Sequence, residues 1–296
     1  MSKRLVIITG PTAVGKTELS IDLAKHFETE IISADSRQFY KELKIGASPP
    51  TKEELSTTKH HFIQHLSVID DYNVGLFEKD AIRTINNLFV KYNTLIMVGG
   101  SGLYIDVITN GLDYFPETEE KTRNYIIKNY KNKGISFLQT QLKEKDPDYY
   151  EIVDINNPQR LIRALTIIVS SKLPFSSFQT GKRKKRGFKI TNFFLNMNRE
   201  RLYERINLRV DKMIKNGLLN EVESLISHRN NNALQTVGYK ELFEYFDGDI
   251  SLNKAIENIK RNTRRFAKRQ ISWFKGYKEI QHISTENTLK EIIGEL

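Results

Sequence analysis

The stretch Leu5–Leu23, LVIITGPTAVGKTELSIDL, decides the fold of this chain. Its first four residues, Leu5–Ile8, are apolar and rich in β-branched side chains, which is typical of a short buried strand. Residues Gly10–Thr17 then spell G-x-x-x-x-G-K-T, and the apolar residues that follow recur at helical spacing. A strand, a glycine loop and a helix in this order predict a phosphate-binding loop.

The residue types inside this loop suit a ligand with several phosphates. Gly10 and Gly15 let the backbone turn so that successive N–H groups converge on one anion at a helix N-terminus. Lys16 adds a positive charge for the terminal phosphate oxygens, and the Thr17 hydroxyl can ligate Mg²⁺. The candidate site for a diphosphate, or for a nucleotide such as ATP, is formed by Gly10, Pro11, Thr12, Ala13, Val14, Gly15, Lys16 and Thr17.

The composition limits the classes of protein that need to be considered. The 296 residues include 46 Lys and Arg against 36 Asp and Glu, and this formal net charge of +10 suggests a polyanionic partner. There is no cysteine, which excludes disulfides, thiolate zinc sites and a cysteine nucleophile. No apolar run approaches the length of a membrane span, and the N-terminal one is too short for a signal peptide. We therefore expect a cytoplasmic protein with no membrane partner.

Two further apolar stretches, Glu30–Ser33 and Thr94–Val98, read as strands that end in polar residues. Asp35 follows the first, at the rim where open α/β sheets bind ligands. It is a Mg²⁺ ligand, a general base, or the N-cap of a short helix over Ser36–Glu42. A glycine turn follows the second strand, and its Ser101 hydroxyl either touches a phosphate or nucleophile or caps the next helix.

The middle of the chain shows no strand alternation and predicts three helices, Glu119–Lys131, Ser136–Lys145 and Gln159–Ser171. The strand Phe188–Asn196 then returns the chain to the main sheet. We therefore expect an α/β fold with a parallel sheet core like that of P-loop NTPases and an all-helical insertion domain. The core comprises residues 1–112 and 191–296, the latter with a basic C-terminal helix, and the insertion comprises residues 113–190.

Basic residues are concentrated in two places. The run Gly181–Gly187 holds five consecutive cations, which form either a solvated loop or a contact to a phosphate backbone. In the long predicted helix Leu252–Phe274, the ten residues 260–269 hold six cations, interleaved with Phe266 and Trp273, a pattern that favours nucleic-acid binding. These six are Lys260, Arg261, Arg264, Arg265, Lys268 and Arg269.

Half of the histidines lie close together, at His60, His61 and His65. A metal cluster is conceivable, but this spacing without cysteine matches no common zinc motif. We favour histidines that pack in the core or line a substrate loop.

Taken together, these motifs resemble the tRNA dimethylallyltransferase (tRNA isopentenyltransferase) family. The similarity runs nearly end to end, through Gly10–Thr17, Ile32–Gln38, His60–Ile63, Val98–Tyr104, Asn157–Ala164, Val237–Tyr239 and Arg265–Phe274. The first motif is shared with many nucleotide-binding proteins, but the ordered set is specific. Ser101 stands where the family usually has Thr, which keeps the hydroxyl. No Cys/His zinc finger follows the catalytic region, as in bacterial members.

The resemblance implies transfer of a dimethylallyl group from its diphosphate to N6 of adenine 37 in tRNA, with release of diphosphate and with Mg²⁺ as cofactor. Lys16 and the loop amides would hold the diphosphate, and Thr17 would bind Mg²⁺. Asp35 would orient the N6 amine and accept its proton. Ser101 and Arg205 would contact the diphosphate or the transition state.

The resemblance also implies a tRNA anticodon stem-loop as partner of a monomeric enzyme, with the target adenine extruded from the loop. The family-matched tRNA contacts are Asp35, Ser36, Arg37, Gln38, Ser101, Arg123, Gln159, Arg160, Leu161, Ile162, Arg163, Gln235, Thr236, Gly238, Tyr239, Arg264, Arg265, Lys268 and Arg269.

Three alternatives remain open from the sequence. An ATP-dependent kinase explains the phosphate loop but not the basic helix. A prenyltransferase for free adenine nucleotides has no use for the insertion or for the cations of Lys260–Arg269. A non-catalytic RNA-binding module makes Asp35 dispensable.

Overall fold

A computed structural model describes residues 3–181, 183–277, 279–285 and 288–296; Lys182, in the basic run, lies outside this range. The chain divides into two compact units, residues 1–109 with 185–296 and residues 110–184. The second unit ends before the boundary predicted at 190, because Lys189 already pairs with β-structure of the first unit. In the described part of the chain, no helix has both the length and the apolar composition needed to cross a membrane.

The first unit is built on a parallel sheet, so the predicted α/β class is confirmed. Among the described residues the sheet has six strands: β1 (Arg4–Thr9), β2 (Ile31–Ser33), β3 (His60–His61), β4 (Thr94–Gly99), β5 (Lys189–Asn196) and β6 (Ile280–Ser284). They are ordered β3-β2-β4-β1-β5-β6, and neighbouring strands are parallel. The central β1 and β4 are apolar along their length because both of their faces are covered.

Helices cover the sheet and make up the second unit. In chain order the described residues form α1 (Lys16–His26), α2 (Lys52–Thr57), α3 (Val74–Leu88), α4 (Gly102–Thr109), α5 (Glu120–Lys133), α6 (Ile135–Lys145), α7 (Pro147–Ile152), α8 (Pro158–Ser171), α9 (Arg199–Lys215), α10 (Leu218–Glu223), α11 (Tyr239–Phe246), α12 (Leu252–Lys275) and α13 (Thr288–Glu295). The predicted helical segments of residues 119–171 correspond to α5, α6 and α8.

The unit of residues 110–184 has its own hydrophobic core. Leu138 and Leu142 of α6 pack there against Leu161 and Leu165 of α8. Ile162 also belongs to this core and is 5% exposed. The described residues of this unit contain helices and no strand.

Helix α12 has two different faces. Ser251 begins it by accepting a hydrogen bond from the Lys254 amide at its N-terminus (3.3 Å). Its buried residues are Ala255, Ile259, Ala267, Gln270 and Phe274, spaced so that they share one face. The exposed positions of its C-terminal half include most of the predicted cations.

The strand register decides where the candidate site forms. Thr9 at the end of β1 stands opposite Gly99 at the end of β4, and Ser33 at the end of β2 stands opposite Val98. Because these three parallel strands end at the same edge, the segments that follow them meet there. These segments are the glycine loop, the turn after β4 and the Asp35 turn.

Candidate active site

The glycine loop after β1 has the backbone that an anion-binding loop requires. Gly10 and Gly15 have φ angles of 150° and 108°, in the region that favours glycine. A Cβ at Gly10 would lie 3.0 Å from the Leu195 carbonyl oxygen, so this position has no room for a side chain. Lys16 folds back over the loop, and its Nζ donates to the Pro11 carbonyl (2.8 Å). The lysine side chain therefore bridges the loop, and the lysine itself begins α1, whose first amides can bind an anion.

The electrostatics of the loop depend on three charged groups. Burial lowers the pKa of Lys16 to about 8; nearby Asp35 raises this pKa and Arg209 lowers it. Burial also lowers the pKa of Arg209, while Asp35 opposes that shift. Two partly dehydrated cations therefore share the site with one carboxylate. A bound diphosphate would compensate this excess positive charge.

The Asp35 segment differs from its predicted helix. Residues 36–39 form a turn, and Asp35 Oδ1 accepts a hydrogen bond from the Arg37 amide (3.1 Å). The alternative of a helix over Ser36–Glu42 is wrong, because the Lys41 amide donates to the Leu66 carbonyl (2.8 Å) and the Leu66 amide donates to the Phe39 carbonyl (3.0 Å). Asp35 thus caps a tight turn, and its carboxylate remains beside the phosphate loop.

Asp35 lines two neighbouring cavities. The larger, of about 720 Å³, is also lined by Ser101 and Arg209 and is big enough for a nucleoside. The smaller, of about 30 Å³, is lined by Lys16 and Thr17 and has room for about one water or ion. Asp35 therefore faces both the phosphate loop and the larger cavity.

The smaller cavity is lined by side chains that could hold Mg²⁺. Thr17, Ser33 and Asp35 bring oxygen donors to it, and Mg²⁺ commonly takes few protein ligands and keeps several waters. His60 Nδ1 donates to the Thr58 carbonyl (2.8 Å), which leaves Nε2 as an acceptor. This Nε2 is buried and finds no hydrogen-bond partner among the described residues. A metal-bound water is a donor that would satisfy it.

The three clustered histidines have separate environments. His60 lines the smaller cavity, whereas His61 Nε2 bonds Glu30 Oε2 (2.6 Å). The His65 ring packs edge-on against Phe39, with 5.5 Å between the ring centroids. Two of the three histidines therefore take part in packing and pairing, and His60 borders the site.

Ser101 lies in the turn after β4 and contacts the Asp35 turn. Its carbonyl accepts from the amides of Tyr104 and Ile105, so it occupies the cap position of α4. Its hydroxyl points the other way, accepting from the Ser36 amide (3.1 Å) and sharing a hydrogen bond with the Ser36 hydroxyl (3.2 Å). Ser101 thus stands at the start of α4 without a side-chain cap bond among the described residues, and it lines the larger cavity, so a contact of its hydroxyl to a phosphate or nucleophile stays a prediction.

Two arginines of α9 lie near the loop. Arg205 is exposed, and its guanidinium is 4.0 Å from where a Cβ at Gly15 would be. Arg209, which the sequence-based site omits, donates to Ser48 Oγ (3.0 Å) and Thr12 Oγ1 (3.4 Å). It lines the larger cavity. Its spacing of four residues from Arg205 on one helix was the signal that could have identified it.

Gln270 of α12 is a second residue for which the sequence predicts no role. Its Oε1 accepts from the Thr12 amide (2.9 Å), and its Nε2 donates to the Gly100 carbonyl (2.8 Å). The signals in the sequence were its place in the family motif Arg265–Phe274 and on the buried stripe that also contains Ala267 and Phe274.

The predicted tRNA contacts fall into exposed and internal groups. Most of the cationic and amide side chains are exposed: Arg123, Gln159, Arg160, Arg163, Gln235, Arg265, Lys268 and Arg269. The side chains of Leu161, Ile162 and Tyr239 are buried, so a tRNA contact predicted at these three positions would involve the backbone. The Tyr239 hydroxyl donates to Glu221 Oε1 (2.6 Å), and the other two belong to the helical core. These three side chains support their neighbours.

Other predicted contacts are already engaged within the first unit. The Arg37 guanidinium donates to the carbonyls of Asn232 (2.7 Å) and Ala233 (2.9 Å), where it braces that loop. Arg264 donates to Asn207 (2.7 Å) and is half-buried. Ser36 and Gln38 lie on the Asp35 turn, and the larger cavity is also lined by Gln235, Thr236 and Gly238.

Two of the basic residues singled out in the sequence are ion-paired. Lys260 lies 2.8 Å from Asp211 and is thereby removed from the cationic stripe of α12. Arg186 of the basic run pairs with Glu78 (2.8 Å) and also donates to the Val107 and Ile108 carbonyls. Arg186 is therefore a structural residue of the first unit.

Known proteins are similar to this chain in both sequence and fold. The family model for IPP transferase matches residues 38–277. A tRNA dimethylallyltransferase of Christiangramia forsetii is 52% identical over 292 residues, which cover 99% of this chain and 97% of that protein. One of Flavobacterium johnsoniae is 48% identical and covers 98% of this chain and 96% of its own length.

Solved structures agree with this similarity. The tRNA isopentenylpyrophosphate transferase of Bacillus halodurans is 33% identical with a TM-score of 0.74, covering 99% of this chain and 95% of its own. A eukaryotic dimethylallyltransferase acting on tRNA is 25% identical with a TM-score of 0.83, covering 99% of this chain and 78% of its own. Since the family model and these relatives extend over most of the chain, the chain belongs to the IPP transferase family.

Proposed function

We propose that this chain transfers the dimethylallyl group of dimethylallyl diphosphate to N6 of adenine 37 in tRNA and releases diphosphate. The observation that carries the proposal is the position of Asp35, which faces the lysine of the phosphate loop on one side and a nucleoside-sized cavity on the other. The names of the relatives support tRNA as acceptor and dimethylallyl as the transferred group.

The phosphate loop is the binding site for the leaving group. The amides at the start of α1, with Lys16, would hold the diphosphate, and Arg209 would approach it from the cavity side. Negative charge grows on the leaving oxygen as the carbon–oxygen bond breaks. Cations and amides that are already in place stabilise this charge without reorganising, which is the largest contribution we assign to the protein.

The transfer step balances with Asp35 as proton acceptor. The N6 nitrogen forms a bond to C1 of the allylic group, and the C1–O bond breaks with its electron pair going to the diphosphate. N6 then loses one proton, which Asp35 accepts. The Arg37 amide bond to Asp35 Oδ1 holds the carboxylate in its turn during this step.

Mg²⁺ is part of the proposal as a cofactor. Thr17 would ligate the ion in the small cavity. Asp35 and His60 also line this cavity and would contact the ion or its bound waters. When bound, the ion neutralises charge on the diphosphate and so improves it as a leaving group.

The exposed residues Arg265, Lys268 and Arg269 would bind the tRNA backbone near the cavity. Extruding adenine 37 from the anticodon loop costs a few kcal/mol, and contacts to the tRNA backbone would offset this cost. The proposal includes a monomeric enzyme in the cytoplasm, where tRNA is modified, because each group the reaction needs stands on this one chain.

The test is product analysis by mass. Purified protein, dimethylallyl diphosphate and Mg²⁺ are incubated with an anticodon stem-loop that has adenines at positions 36 to 38. We expect the RNA to gain one C5H8 unit, located at position 37 by fragmentation, and a stem-loop with guanine at 37 to gain nothing. An unmodified adenine stem-loop together with ATP turnover in the absence of RNA would contradict the proposal and favour a kinase.

A further inference from the structure

Gln270 joins the two loops that follow the paired strands β1 and β4. One is the first half of the phosphate loop, through the Thr12 amide, and the other is the turn after β4, through the Gly100 carbonyl. The first loop would bind the diphosphate, and the second carries Ser101 next to the Asp35 turn. A single side chain thus joins the leaving-group side of the site to the acceptor side.

The side chain at this position must both accept and donate. The Thr12 amide needs an acceptor and the Gly100 carbonyl needs a donor, and the two ends of one carboxamide supply both. A carboxylate would only accept, and an apolar isostere would do neither. The chemistry of the two partners therefore specifies glutamine, and it also specifies which way the amide is turned.

Water has little access to the two hydrogen bonds of Gln270 and so could not easily take the place of its side chain. Gln270 is 7% exposed, and its Nε2 would lie 2.3 Å from a Cβ built on Gly100. The approach is that close only because residue 100 is glycine. Loss of the carboxamide would leave the Thr12 amide and the Gly100 carbonyl without their partner in a confined space, and the two loops would move to satisfy them.

We propose that Gln270 is a positioning residue that sets the distance between the diphosphate loop and the turn carrying Ser101, and so aligns donor and acceptor for transfer. The inference rests on the proposed function. It assigns a second role to α12, whose outer face carries the cations predicted for tRNA and whose inner face positions the reaction site. Displacements of about 1 Å at a reacting centre cost on the order of a hundredfold in rate.

The test separates positioning from general stability. Gln270→Met keeps the length of the side chain and removes both hydrogen bonds. We expect the KM for dimethylallyl diphosphate and the Kd for inorganic pyrophosphate each to rise about tenfold, and kcat to fall about tenfold or more. The Kd for the stem-loop should stay within about twofold, because the outer face of α12 is unchanged. Ser272→Ala, an exposed change on the same helix, serves as control and should match the wild type.

The outcomes are distinguishable from one another. A folded Gln270→Met protein with wild-type KM and pyrophosphate Kd would overturn the inference. A loss of activity explained entirely by a smaller folded fraction would overturn it as well. If that variant does not fold, Gln270→Glu keeps the acceptor for Thr12 but loses the donor for Gly100, and wild-type constants in it would equally overturn the inference. Failure of the wild type to alkylate RNA contradicts the proposed function, while the pyrophosphate measurements still test Gln270.

Discussion

The diphosphate side of the site and the basic face of α12 are built in opposite ways. The diphosphate side comprises Gly10–Thr17, Asp35 and Ser101, and it is half-buried and held by hydrogen bonds of defined partners. The basic face comprises Arg265, Lys268 and Arg269, whose side chains are exposed.

This difference follows from what each region has to recognise. A developing charge at one oxygen requires groups that are already in place, so each of them has a large effect. A polyanion is attracted by summed charge, which salt screens and to which each residue contributes little. Substitutions should therefore have large effects on the rate constant in the first region and small effects on salt-dependent affinity in the second.

The largest effect is expected from Asp35→Asn. This change preserves the side-chain shape and an acceptor for the Arg37 amide but removes the proton acceptor. We expect kcat to fall by about a thousandfold, within the range for general bases, while the stem-loop Kd is unchanged. Single-turnover kinetics at saturating RNA measure this directly, with Asp22→Asn on the exposed face of α1 as control. Wild-type turnover in Asp35→Asn would remove the carboxylate from the mechanism.

Lys16→Met should have the next largest effect. The buried ammonium beside Asp35 is lost, and with it the cation nearest to the leaving diphosphate. We expect kcat/KM for dimethylallyl diphosphate to fall about a hundredfold or more and RNA affinity to be retained. Calorimetry with pyrophosphate and an RNA-binding assay report the two affinities separately. If both affinities fell together, the proposed separation of the two regions would be contradicted.

The sequence predicted the loop after β1 and the three strands around it well, because their determinants are local. The glycines of Gly10–Thr17 and the apolar runs of β1, β2 and β4 specify a loop and three strands without reference to distant residues. The edge strands were missed for physical reasons: β3 has two residues, and β6 (IQHIS) has two isoleucines spaced three residues apart, which is neither an apolar run nor a strand alternation. Both depend on a neighbouring strand for their definition.

Long-range contacts explain the remaining differences. One interpretation of Asp35 required a helix over Ser36–Glu42, which the pairing of residues 39–41 with Leu66 prevents. Whether Arg205 or Arg209 turns into the cavity depends on Ser48 and Thr12, which are far away in sequence. Gln270 could not be assigned because both of its partners lie more than a hundred residues away. The sequence predicts which face of a helix a residue occupies, but it does not predict which distant residue that side chain contacts.

The basic face should respond in affinity and in salt dependence. Replacing Arg265 and Lys268 together with Gln removes two phosphate contacts, so the slope of log K against log salt should flatten by about 1.4 to 1.8. At physiological salt we expect RNA affinity to fall about tenfold, with kcat at saturating RNA unchanged. Lys260→Gln is the matched control on the same helix, because Lys260 is paired with Asp211 and should leave the slope unaltered. Equal slopes for the double variant and the control would place the RNA on another surface.

Ser101→Thr should have the smallest effect, and it tests where the diphosphate side ends. The hydroxyl accepts from the Ser36 amide and is the only part of the side chain for which we infer a role. Threonine keeps this hydroxyl and adds one methyl group at a half-buried position beside the larger cavity, so kcat and both KM values should stay within about twofold. Ser101→Ala leaves the Ser36 amide without its acceptor, and it should lower kcat/KM about threefold to tenfold. If Thr reduced activity as much as Ala, the site would be sensitive to volume at this position, and Ser101 would have to be counted among residues that shape the cavity.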